Sequence, residues 1–121
     1  MKDNLEYQGF AIIRSNGKRL PSLEGATLQT GGITRDAVGG GESIYGYKKS
    51  GYVAPSVTLT VAHGHDISPE ELNAMVGVTL EFETSIGRTF LLAQAWSKGN
   101  AGLTASGDIS VTFEARECKE V

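Results

Sequence analysis

Two histidines and an aspartate stand close together in the run His63-Gly64-His65-Asp66. Side chains two apart on a strand share a face, so His63 and His65 have the spacing of a metal-binding pair. A protein-held zinc needs three or four donors. The sequence has no other histidine, and its single cysteine, Cys118, lies near the end. The run therefore reads as a polar strand end leading into a helix, with no metal and no cofactor expected. Lys48-Lys49-Ser50-Gly51 follows Gly39-Gly40-Gly41 and Gly46, but the pattern G-x-x-x-x-G-K-[ST] is not matched and no strand-to-helix passage follows. No nucleotide site is expected there. The two lysines read as a solvated loop edge or as a contact with another subunit.

Nucleophilic catalysis needs a serine or cysteine with a positioned base, and there is no G-x-S-x-G elbow. Glu81 and Glu83 sit two apart and have the residue types of a glycosidase pair. Acidic residues on the wet face of an amphipathic strand are the commoner arrangement. No catalytic residue is expected, and the sequence reads as that of a non-enzyme.

These residues sit on strands of period two. Val57, Leu59 and Val61 alternate with Thr58 and Thr60. Val78, Leu80 and Phe82 alternate with Thr79, Glu81 and Glu83. Ile109, Val111, Phe113 and Ala115 alternate with Ser110, Thr112, Glu114 and Arg116. Each predicts a half-buried antiparallel strand. Residues 7–14 and 90–96 are apolar on both sides and need cover on both, which a chain of 121 residues would borrow from a neighbouring subunit. In the second of these, Phe90, Leu92 and Trp96 are expected to oppose Leu91, Ala93 and Ala95.

Asn16-Gly17 and Ile86-Gly87 predict tight hairpin turns. Ser68-Pro69-Glu70-Glu71 carries an N-cap serine, a proline at N1 and a capping-box glutamate, so one short helix is expected at about residues 69–76, closed by Gly77. Residues 31–52 hold seven glycines, with Tyr45, Tyr47 and Tyr52 among them, and show no clear period. They predict a long glycine-rich loop that orders against a partner. The fold class expected is mainly β: an antiparallel β-sandwich or small barrel with one short flanking α-helix and that loop.

Length and charge bound the rest. The 121 residues fit a single domain over 1–121, with 40% hydrophobic and 21% charged residues and a net charge of -3. Such a balance excludes a disordered chain and argues against a basic nucleic-acid surface. No apolar run follows Met1-Lys2-Asp3-Asn4, and no stretch approaches about 18 apolar residues, so neither a signal segment nor membrane insertion is expected. The wet strand faces carry one base against three carboxylates, otherwise small hydroxyls. They suit either ordinary solvation or a wall along which DNA slides without sticking.

The ordered set of segments resembles the tail tube protein family of contractile-tailed bacteriophages, in its Mu-like branch. The resemblance starts in the strand and hairpin of Gly9-Phe10-Ala11-Ile12-Ile13-Arg14-Ser15-Asn16-Gly17. It continues through Gly31-Gly32-Ile33-Thr34-Arg35 to Gly46-Tyr47, residues 55–61, and Asp66-Ile67-Ser68 into Leu72-Asn73-Ala74-Met75. Gly77-Val78-Thr79-Leu80, Gly87-Arg88-Thr89-Phe90, Ala95-Trp96 and residues 107–114 complete it. One departure is Gly39-Gly40-Gly41-Glu42, a little longer than the family's loop.

The resemblance implies a structural virion protein: hexameric rings stacked head-to-tail into a hollow tail tube through which DNA is ejected into the host. It implies self-association, and partnership with tail sheath, tape measure, baseplate hub and tail terminator proteins. DNA would pass through the lumen without specific binding. The location implied is the virion tail, reached from the host cytoplasm during assembly. On this reading Arg35, Tyr45, Tyr47, Lys48, Lys49 and Tyr52 are expected to make subunit or ring contacts, and Glu81, Glu83 and Glu114 to face the lumen. Two alternatives share parts of the pattern. A type VI secretion-like tube subunit has the same geometry. A monomeric β-sandwich ligand-binding module would want aromatics on a sheet face, whereas Trp96 lies in an apolar strand and the tyrosines mostly lie in the loop.

Overall fold

The three alternating runs become the centre of the sheet. In the computed structural model, which describes residues 5–121, they are β6 (Ser56–Ala62), β7 (Val76–Thr84) and β10 (Asp108–Glu114). Residues 1–4, where the absence of a signal segment was read, lie outside the described residues. Around the three run β1 (Ala11–Ser15), β2 (Lys18–Arg19), β3 (Thr27–Gln29), β8 (Thr89–Ser97), β9 (Gly102–Leu103) and β11 (Glu117–Glu120). All pairings are antiparallel, in the order β2-β1-β7-β8-β10-β6-β3, with β11 added to β8 and β9 to β10.

The sheet folds over on itself where β8 changes partner. Its first half, Phe90 to Ala93, pairs with β11, and its end, Trp96 and Ser97, pairs with Glu114 and Phe113 of β10. The result is a mainly β sandwich with no closed barrel. Ile13, Leu80, Phe82 and Leu92 from one layer and Val57, Leu59, Val61, Ile109, Val111 and Phe113 from the other form its core. These are the apolar sets that the alternation assigned to the inner face, because a strand presents every second side chain to one side.

The short turns follow their chemistry. Arg14 pairs with Arg19 and Ser15 with Lys18, so Asn16-Gly17 is a two-residue loop with both residues at positive φ, 51° and 85°. Asn16 also accepts a hydrogen bond from the Thr79 amide through its side chain at 2.9 Å, tying this hairpin to β7. The helix is α1 (Pro69–Asn73), shorter than residues 69–76. The Ser68 hydroxyl accepts from the Glu71 amide at 3.3 Å, as the capping pattern requires. Buried Leu72 holds the helix to the core, and Asn73 reaches the Ala101 amide at 2.9 Å.

Three expectations are corrected. Gly77 is no helix cap: the helix closes at Ala74, and Gly77 forms a bulge inside β7, between Val76 opposite Trp96 and Val78 opposite Ala95. Strict alternation over residues 90–96 fails, because Ala93 and Gln94 together oppose one residue of β7. Residues 7–14 do not form one strand: pairing begins at Ala11, and Tyr7 and Phe10 are exposed. The fourth difference is the largest. The glycine-rich stretch is no irregular loop but a hairpin of β4 (Gly32–Gly39) and β5 (Ile44–Val53), a two-stranded sheet separate from the sandwich.

Candidate assembly surfaces

Every residue of β4 and β5 is exposed. That explains why no period two could be read there: a strand with neither face buried has no apolar alternation to display. Two bulges, at Ser50 and Tyr45, also shift the phase. The Gly40 amide donates to the Ser43 carbonyl at 3.0 Å to close the tip. At the root Pro55 is buried, and its carbonyl accepts from the Ala115 amide at 2.9 Å, which anchors the returning strand to the sandwich.

Residues directly opposite on paired strands share a face. One face of the hairpin therefore collects Ile33 with Tyr52, Arg35 with Lys49, and Ala37 with Tyr47. The Arg35 guanidinium lies over the Tyr47 ring, 5.6 Å from its centroid. The other face collects Thr34 with Gly51, Asp36 with Lys48, and Val38 with Gly46, and the Thr34 and Ser50 hydroxyls bond at 2.8 Å. Of the six expected contact residues, Arg35, Tyr47, Lys49 and Tyr52 thus come together. Lys48 lies on the opposite face, and Tyr45 is the bulged residue near the tip, its hydroxyl lying over Gly40. The tyrosines are 74%, 67% and 86% exposed at 45, 47 and 52. Sequence reasoning missed Ile33, Ile44 and Val53, exposed apolar residues on the same hairpin. Their interleaving with the tyrosines was the available signal.

The three acidic candidates fall into two places. Glu81 and Glu83 lie on the outer face of β7, opposite Arg14 and Ile12 of β1. Glu83 accepts a hydrogen bond from Arg14. That bond, followed by the charge of Glu83, pushes the Arg14 guanidinium further up. Glu114 is on β10, opposite Ser56 of β6 and Trp96 of β8. On the outer face of β10 and β6 the row continues with Thr112 opposite Thr58 and Ser110 opposite Thr60. The structure does not bring Glu114 into one cluster with the other two.

His63, His65 and Asp66 are exposed between β6 and α1, and no group of three potential metal donors occurs among the described residues. Nor is any helix among them long and apolar enough to cross a membrane. A hollow of about 510 Å³ at the hairpin root is lined by Tyr52, Pro55, Trp96, Arg116 and Cys118, among others. Burial pushes the Cys118 thiol up, toward the neutral and unreactive form. The surfaces thus comprise an exposed aromatic hairpin, and sheet faces of hydroxyls and carboxylates.

Residues 5–120 match the phage tail tube protein family. The chain belongs to that family. It is similar to the Mu-like prophage FluMu tail tube protein of Haemophilus influenzae, with 39% identity over 116 residues, 96% of this chain and 97% of that one. It is similar also to the tail tube protein of Escherichia phage Mu, 35% identical over 116 residues and 96% of each chain. Two solved structures share the fold. The anti-feeding prophage tube-terminating cap superposes with a TM-score of 0.67 at 12% identity, covering 99% of this chain and 95% of the other. The sheath/tube terminator in the extended state of PVC, an extracellular contractile injection system, gives 0.65 at 10%, covering 97% and 99%. As a tail tube protein the chain is a structural subunit of a phage tail.

Proposed function

We propose that this tail tube protein forms one domain over its whole length and assembles as hexameric rings. The rings stack head-to-tail into a hollow conduit through which phage DNA is ejected. The observation that carries the reading is the hairpin of β4 and β5, exposed on both faces in a chain of this family. An isolated two-stranded hairpin is marginally stable in water. Its five tyrosine and isoleucine positions, Ile33, Ile44, Tyr45, Tyr47 and Tyr52, gain cover when a second subunit packs against them. Arg35, Lys48 and Lys49 supply the charged part of that contact.

Of the acidic candidates Glu81, Glu83 and Glu114, either the β7 pair or Glu114 on the other sheet face is the proposed acidic part of the lumen wall, where carboxylates repel phosphates and keep passing DNA from binding. The subunit acts without catalysis. It works in the virion tail after assembly in the host cytoplasm, with sheath, tape measure, baseplate hub and tail terminator proteins as partners. Electron microscopy of the purified protein at high concentration tests the reading, with rings or tubes as the expected outcome. Deleting residues 39–50 should leave a folded sandwich that forms neither. Small featureless particles from the intact chain, or normal tubes from the deletion, would sink it.

A further inference from the structure

The two faces of the hairpin differ in chemistry. One carries Tyr47, Tyr52 and Ile33 with two cations, Arg35 and Lys49, and no carboxylate. On the other, Asp36 stands opposite Lys48, so its charges cancel, and its apolar residues are the aliphatic Val38 and Val53. Among the described residues the ion pairs are Arg14 with Glu83, Arg88 with Glu120 and Lys119 with Glu117. Among the described residues neither Arg35 nor Lys49 has a carboxylate partner. Residues 32–53 carry three cations and two carboxylates. The whole chain carries -3, so the remainder of the chain carries -4.

We infer that the hairpin docks on a second copy of this chain through one face only, the face of Ile33, Arg35, Ala37, Tyr47, Lys49 and Tyr52. This rests on the tube reading and names the side of the hairpin that is buried in it. The aromatic face has the composition of a contact core, in which Tyr and Arg are enriched. Its two unpaired cations match the acidic remainder of a neighbouring subunit, and opposite potentials set register and favour association. The Arg35–Tyr47 stack at 5.6 Å already orders the centre of the face before contact, which lowers the entropy lost on docking. The face of Thr34, Asp36, Val38 and Lys48 offers neither aromatic area nor net charge.

The test compares charge changes on the two faces in the full chain, with assembly read by electron microscopy and sedimentation and folding by thermal melting. Arg35→Glu with Lys49→Glu should raise the concentration needed for assembly by about tenfold or more, since like charges would then face each other. The uncharged pair Arg35→Gln with Lys49→Gln should raise it less and should weaken the salt dependence of assembly. Asp36→Lys, on the opposite face, should assemble within about twofold of the unaltered chain. All three should melt with the unaltered sandwich. Assembly of the double Glu variant at the ordinary concentration would overturn the face assignment and leave the tube reading standing. So would an Asp36→Lys loss as large as that of the double Glu variant. Failure of the unaltered chain to assemble would overturn both.

Discussion

Leu92 and Ala95 are buried on the same face of β8 although they are three residues apart. Leu92 stands opposite Leu80 and Ala95 opposite Val78, so Ala93 and Gln94 share one place in the ladder. The bulge is made by Gln94, an exposed residue at φ 51°. It turns the strand so that Trp96, on the far side, reaches Glu114 of β10 and the sheet can fold over.

A left-handed residue with a side chain costs about 1–2 kcal/mol, and glycine removes that cost while losing about 0.5–1 kcal/mol to its freer unfolded state. Gln94→Gly should therefore stabilise the sandwich by about 0.5–1 kcal/mol. Chemical denaturation checks it. A destabilised variant would mean that the Gln94 side chain contributes more than its exposure suggests.

The sequence makes legible what is half-buried. Val57, Leu59, Val61 and the sets on β7 and β10 alternate because one face meets the core, and the structure buries those residues. Ser68 and Asn16-Gly17 were readable because a cap and a two-residue turn are fixed by local chemistry. The bulges at Gly77 and Gln94 were not readable, since a bulge answers to the partner strand rather than to its own residues. The hairpin was visible as a glycine and tyrosine anomaly but not as two strands. Its pattern belongs to a surface with no core behind it. The candidate contact residues all lie on this hairpin, yet only the register divides Lys48 from Arg35 and Lys49.

Hairpin and sandwich should respond independently to truncation. Tyr52→Ala removes an exposed ring and should leave the stability of the unassembled chain within about 0.5 kcal/mol. Phe113→Ala removes a fully buried ring between the layers and should cost about 3–5 kcal/mol. Urea denaturation of dilute protein distinguishes them. Equal losses would show that the hairpin is part of the cooperative core.

Cys118 is half-buried on β11 opposite Leu92, and burial pushes its thiol up. At pH 8 it should react with iodoacetamide more slowly in the folded chain than in denaturant, because the thiolate is the reactive form. The same shift has a stability consequence. The unfolded thiol loses its proton at lower pH than the folded one, so stability is full below the ordinary cysteine range and falls as pH rises through the folded value. Cys118→Ala should remove that part of the alkaline decline. Folded and unfolded chains alkylating at one rate would exclude it.

Gly31 fixes the direction in which the hairpin leaves the sandwich. Its φ is 70°, and a Cβ there would stand 2.5 Å from the Val53 carbonyl oxygen and 2.7 Å from the Pro55 nitrogen. Both are backbone atoms at the root of the returning strand, so no side-chain rotation relieves the collision. Gly17 is a control, with φ 85° but nothing within 4 Å of its would-be Cβ. Gly17→Ala should cost only backbone strain, about 1 kcal/mol, and should still assemble. Gly31→Ala must push the two strands of the root apart. Since the hairpin adds little to the core, the sandwich should melt within a few degrees of the Gly17→Ala variant. The aim of the tyrosine face would nonetheless change, and rings and tubes should be lost. Melting curves beside electron micrographs of the two variants decide the matter. Tubes from Gly31→Ala at the ordinary concentration would show that the root tolerates redirection and that Gly31 positions nothing.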